Sequence, residues 1–182
     1  MIGQNASIHP IGVRCRGFSY DLFKIFLLGW LCAPGWSCAD EWRGRVVRIQ
    51  DGDSLVVSRE GRQEKVRLAG IDTPEQGQPY AGEAKALTQR LVEHRTVRVV
   101  DKERDRYGRL VAWVTPLDGE ELGAALVRAG LAWQHPYYSR DPELKRLEQE
   151  ARRRGIGLWA DPDPTPPWVW KRHHRRGSRE HP

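Results

Sequence analysis

The chain has 182 residues, 39% of them hydrophobic, with 30 Lys and Arg against 24 Asp and Glu, a formal charge of +6. That length holds one ordinary domain plus extensions, and the modest basic excess suits a polyanionic partner without requiring one. All three cysteines (Cys15, Cys32, Cys38) precede residue 40, which excludes a disulfide framework, a thiolate metal site and a cysteine nucleophile from the rest of the chain.

Residues 1–39 read as a leader. Arg14, Arg16 and Lys24 precede an apolar run from Ile25 to Ala33, then a turn at Pro34-Gly35, and Ser37 and Ala39 supply the small residues of a cleavage site after Ala39. This is the layout of a secretory signal, and the apolar run is short for a bilayer. The expectation is export to a secreted or periplasmic location. The alternatives are a start downstream of Met1, since the basic region is long, or an uncleaved leader kept as a membrane anchor. Gly35-Trp36-Ser37 before Cys38 is a poor context for lipid attachment.

Residues 40–160 read as the folded domain. Val46–Ile49, Leu55–Val57 and Val66–Leu68 are short β-branched-rich runs, with turn chemistry at Asp51-Gly52 and Glu60-Gly61; they predict three antiparallel strands. A helix follows over Ala81–Glu93, with Ala84, Leu87 and Leu91 at helical spacing. Two more strands are predicted at Thr96–Val100 and Leu110–Val114. A short helix is predicted over Leu122–Ala129, ended by Gly130, and a third over Pro142–Arg154 with Asp141 as N-cap. The order predicts a small five-stranded barrel with helices packed against it. Residues 161–182 read as a Pro-containing linker, anchored by Trp168 and Trp170, and a dangling basic tail. His173-His174 is weighed as a metal site against the simpler reading of a solvated tail.

Three segments carry chemistry: Asp51-Gly52-Asp53-Ser54, Asp72-Thr73-Pro74-Glu75 and Asp105-Arg106-Tyr107-Gly108-Arg109, with Arg67 five residues before Asp72. Carboxylates without His or Cys favour a hard ion such as Ca²⁺ or Mg²⁺. Asp53 and Asp72 are the candidate ligands, and two are too few for a closed cage, so water and a phosphate oxygen would complete the shell. Glu75 is a candidate general base or water-positioning group. Arg67 alternates with Val66 and Leu68 and therefore projects from their opposite face. It and Arg109 have the planar fork that matches phosphate oxygens. Each segment also has a plain reading: a hairpin turn, a strand cap, a loop glutamate, a surface salt bridge.

Over Trp42 to Trp159 the chain resembles the staphylococcal (micrococcal, or thermo-) nuclease family. The resemblance rests on Asp51-Gly52-Asp53-Ser54, Arg67 through Glu75, Asp105 through Arg109, and Ala125-Leu126-Val127-Arg128-Ala129-Gly130-Leu131-Ala132, whose order and spacing make it specific. It implies a mostly β protein with α-helices: an OB-fold, a five-stranded antiparallel β-barrel with three α-helices. It further implies Ca²⁺-dependent hydrolysis of DNA and RNA to 3′-phosphate and 5′-hydroxyl ends. Carried over by position, Asp53 and Asp72 match the calcium-ligating carboxylates, and Thr73 the residue giving its backbone carbonyl. Glu75 matches the proposed general base, and Arg67 and Arg109 the phosphate-binding arginines. Tyr107 and Tyr138 match nucleotide-pocket tyrosines. Ser54 stands where Thr is usual, Pro136 where a first tyrosine is usual, and the stretch from Glu75 to Ala81 is short. These departures bear on substrate preference rather than on cleavage.

The expectation is therefore an exported, monomeric, Ca²⁺-dependent nuclease acting on single-stranded or locally open DNA and RNA. The competing reading is a catalytically idle OB-fold that binds single strands through aromatic and basic residues.

Overall fold

The computed structural model describes residues 40–177; the expected leader, residues 1–39, lies outside them. Strand β1 (Glu41–Ile49) turns Trp42 and Val46 inward and charged residues outward, with a bulge near Arg48 that bends it. It pairs with β2 (Ser54–Arg59), which returns as β3 (Arg62–Leu68) through Glu60-Gly61. Both turn residues have positive φ, 50° and 82°, the conformation whose twist matches that of the flanking strands. Strands β4 (Ile71–Asp72) and β7 (Trp133–Gln134) form a small separate ladder beside the barrel.

Helix α1 (Ala81–Val92) leads to β5 (Thr96–Arg104) and β6 (Leu110–Pro116). The barrel closes in the order β1-β2-β3-β6-β5, with β5 back against β1. It is an OB-like barrel, but not wholly antiparallel as expected: β3 and β6 run parallel. The reason is geometric, since strands can alternate direction around a closed ring only if their number is even.

Helix α2 (Leu122–Arg128) is capped by the Glu121 carboxylate, which accepts from the amides of Gly123 and Ala124 at 2.9 and 2.7 Å. Helix α3 (Pro142–Arg154) begins at Asp141 and Pro142, as predicted. A short 3-10 turn (Gly157–Ala160) follows and passes so close to Gly130 that a Cβ there would sit 2.3 Å from the Ile156 carbonyl oxygen. Gly130 also has φ of 69°, so glycine is required twice over.

Leu55, Val57, Val66, Leu68, Val97, Val99 and Val114 fill the barrel, and Leu87, Leu126 and Leu147 from the helices pack onto it. A second cluster joins Trp133, Ala151, Leu158 and Trp159, with Trp168 against it. The described residues contain one helix more than expected. Residues read as linker and dangling tail form α4 (Pro167–Gly177). Pro167 occupies the first helical position, where its missing N–H costs nothing, and the Trp168 ring packs edge-on to Trp133 at 6.5 Å.

Candidate active site

The loop between β1 and β2 holds Asp51, Gly52 and Asp53 in fixed positions. The Asp53 amide donates to Asp51 Oδ1 at 3.2 Å, the Thr88 hydroxyl of α1 donates to the Gly52 carbonyl at 2.6 Å, and the Leu68 amide donates to the Asp53 carbonyl at 2.8 Å. Asp53 is 2% exposed and Asp72, at the end of β4, is 3% exposed. Between them stands Arg67. It projects from β3 between buried Val66 and Leu68, donating to Asp53 Oδ1 at 2.6 Å and, through its other fork, to Asp72 Oδ1. The Thr73 amide donates to Asp53 Oδ2 at 2.9 Å. The residues taken from separate segments are thus one hydrogen-bonded unit.

The electrostatics of this unit are unbalanced. Burial and neighbouring Asp53 push the Asp51 carboxyl up to about 6. Burial and Asp53 also push Asp72 upward, against the pull of Arg67 and Lys171. Burial alone would lower Arg67, but Asp53 and Asp72 outweigh it and hold the guanidinium more firmly charged. Three clustered carboxylates exceed the charge that Arg67 supplies.

The remaining candidates face the same cleft, of about 1220 Å³, lined among others by Arg67, Asp72, Glu75, Tyr107, Arg109 and Tyr138. Asp105 organises the turn before β6: its carboxylate accepts from the amides of Tyr107 and Arg109 at 2.9 and 3.0 Å, and from Arg109 Nε at 2.7 Å. The salt bridge weighed as the plain reading of Arg109 is present, and the guanidinium still lines the cleft. The parallel register explains the meeting of the arginines. Arg67 pairs with Val111 across β3 and β6, and Arg109 lies immediately before β6, two residues from Val111. Tyr107 and Tyr138 are 64% and 67% exposed and line the cleft. The Tyr138 ring lies 4.4 Å from that of His135.

Sequence reasoning missed several residues here. Gln78 accepts from the Glu75 amide at 3.0 Å and donates to the Thr165 carbonyl, tying the Glu75 loop to the segment before α4. Lys171 of α4 bonds Glu75 Oε1 at 2.6 Å. Lys102 is the extra residue of a bulge in β5, and lines the cleft. No local signal in the sequence marks these three.

Oxygen donors, near-complete burial and excess negative charge fit a hard divalent cation at Asp53 and Asp72, with Thr73 held next to Asp53 through its amide. Among the described residues no group of three or more His, Cys, Asp or Glu is arranged to hold a metal alone, so such an ion would need water and phosphate in its shell.

A family model described as staphylococcal nuclease homologue matches residues 65–161. A relative from Escherichia coli O157:H7, named uncharacterized endonuclease, is 40% identical over 159 residues, covering 86% of this chain and 98% of its own. A protein of Shigella flexneri named micrococcal nuclease is 40% identical over 155 residues, covering 80% of this chain and 87% of its own. An uncharacterized endonuclease of Haemophilus influenzae is 39% identical over 132 residues, covering 72% and 74%. Matched over more than half its length by that model, and spanning almost the whole of a relative at 40% identity, the chain belongs to the staphylococcal nuclease homologue family.

Proposed function

We propose that the chain is an exported, calcium-dependent nuclease that hydrolyses phosphodiester bonds of DNA and RNA, leaving 3′-phosphate and 5′-hydroxyl ends. The observation that carries this reading is the convergence of Arg67, Asp72, Glu75 and Arg109 on one cleft, with Asp53 locked behind Arg67. The relatives named endonuclease and micrococcal nuclease support it, and the leader read at residues 1–39 supports export.

In this reading Asp53, Asp72 and the Thr73 carbonyl hold Ca²⁺. When bound, the ion neutralises phosphate charge and makes phosphorus more open to attack. Glu75 takes a proton from the attacking water, and the new P–O bond forms as the bond to the 5′ oxygen breaks. The 5′ oxygen takes up a proton from solvent. Charge on the equatorial oxygens grows in the transition state, where the Arg67 and Arg109 guanidinium groups meet it. Asp105 keeps Arg109 aimed by holding its Nε. Tyr107 and Tyr138 offer ring faces to unpaired bases, which favours single-stranded or locally open substrate. Every group invoked comes from one chain, so this reading takes the monomer as the working unit.

The test is turnover of single-stranded DNA by Glu75→Gln and Arg109→Ala, with circular dichroism to verify the fold. Loss of about 10²-fold or more in kcat for each is expected, the scale of one transition-state group. Near-normal rates in both would leave a binding-only OB-fold as the better account.

A further inference from the structure

Helix α4 is fastened over the cleft at successive points. The Gln78 side chain donates to the Thr165 carbonyl just before it. Trp168 packs against Trp133 and lies 5.4 Å from the His135 ring. One turn on, Lys171 bonds Glu75 Oε1 at 2.6 Å and comes within 4.0 Å of Asp72 Oδ1. A single ammonium group thus sits against both the carboxylate assigned to the water and one assigned to the cation.

Two properties make this contact an exchangeable one rather than a fixed part of the fold. The Lys171 and Glu75 side chains are 40% and 31% exposed, so solvent screens the pair and either partner can leave it at little cost. Asp72, by contrast, is nearly buried and already bonded by Arg67, so added positive charge close to it acts with little screening. An ammonium at this place repels any divalent ion that approaches the same carboxylate.

We propose that Lys171 is a built-in competitor of the divalent cation: α4 latches the cleft by placing this ammonium against Glu75 and Asp72, and cation binding must displace it. The proposal rests on the metal reading above and adds to it a regulatory role for the C-terminal helix. Lys171 is a positioning residue in this account, acting through the two carboxylates it touches. A substrate phosphate gives the displaced ammonium a new anionic partner, so the latch opens most readily when ion and nucleic acid arrive together.

The test is calorimetric titration of the full chain with CaCl₂, without nucleic acid. It compares the native protein with Lys171→Met, Lys171→Gln, Lys171→Arg and Asp72→Asn, each verified by circular dichroism. Removing the charge should tighten Ca²⁺ binding about tenfold in both the Met and Gln variants, the scale of one nearby like charge at a partly exposed site. Lys171→Arg should keep native affinity, which a merely structural role for the side chain would not predict. Equal affinity in the native, Met and Gln proteins, with Asp72→Asn still losing binding, would overturn the latch and leave the metal site standing. No Ca²⁺ binding by any of the proteins would overturn the metal reading and the latch together.

Discussion

Replacing Arg67 with Met removes the one side chain that, among the described residues, joins the two buried carboxylates. Arg67 bonds Asp53 Oδ1 and Asp72 Oδ1, and those acids are 2% and 3% exposed. Breaking a buried pair from one side leaves uncompensated charge and costs roughly 3–5 kcal/mol. Arg67 itself is 17% exposed, so water reaches part of the gap and the lower end applies, about 3 kcal/mol. For a domain of this size that lowers Tm by roughly 10 °C. Urea unfolding followed by tryptophan fluorescence, in chelator and in excess calcium, measures it. The calcium arm carries the sharper prediction. A divalent ion on the two freed carboxylates should restore about 2.7 kcal/mol once it exceeds its Kd a hundredfold. Stability within 1 kcal/mol of native in chelator would refute the reasoning, because the arginine would then not be holding those acids in place.

Three other perturbations test separate parts of the structure. Asp105→Asn should cost about 1 kcal/mol at pH 7: burial raises the Asp105 carboxyl, but its bonds from Arg109 and Tyr107 outweigh this and hold it below the usual range. Because the folded value is the lower one, this stability is present above the unfolded value and lost as pH falls through the folded one, so urea midpoints of variant and native should converge as pH is lowered below the ordinary carboxylate range. Tyr138→Ala should raise KM for single-stranded DNA about tenfold with kcat little changed, as expected for a lost stacking face; steady-state kinetics separates the two constants. Gly130→Ala should destabilise by about 3 kcal/mol or prevent folding, from positive φ and the backbone clash together, as thermal melting will show.

The parts of this molecule set by local pattern were legible in the sequence. Alternation in Leu110–Val114 and the Glu60-Gly61 turn gave strands that the structure contains, and Asp141-Pro142 placed the start of α3 at the observed residue. Strand β5 runs on to Arg104, past the predicted Val100, because barrel pairing with β6 orders a charged stretch that has no apolar period of its own. The parallel pairing of β3 with β6 follows from closing an odd ring, a global condition that no window of residues expresses. That pairing sets the start of β6, just after Arg109, beside Arg67, and both arginines line the cleft. Helix α4 was hidden by Pro166-Pro167, which read as extended linker. It forms where Trp168 meets a surface built by Trp133 and His135. With α4 hidden, the contact of Lys171 with Glu75 was hidden too.

The central claim is tested most directly by incubating the protein with single-stranded DNA in millimolar Ca²⁺ and in a calcium chelator, then identifying the product ends (the concentration is an order-of-magnitude choice for an open oxygen site). The account predicts cleavage only with Ca²⁺, and products that become ligatable after removal of a 3′-phosphate and addition of a 5′-phosphate. Tight binding without cleavage, with Mg²⁺ and Mn²⁺ also supplied, would contradict it and identify the barrel as a binding module.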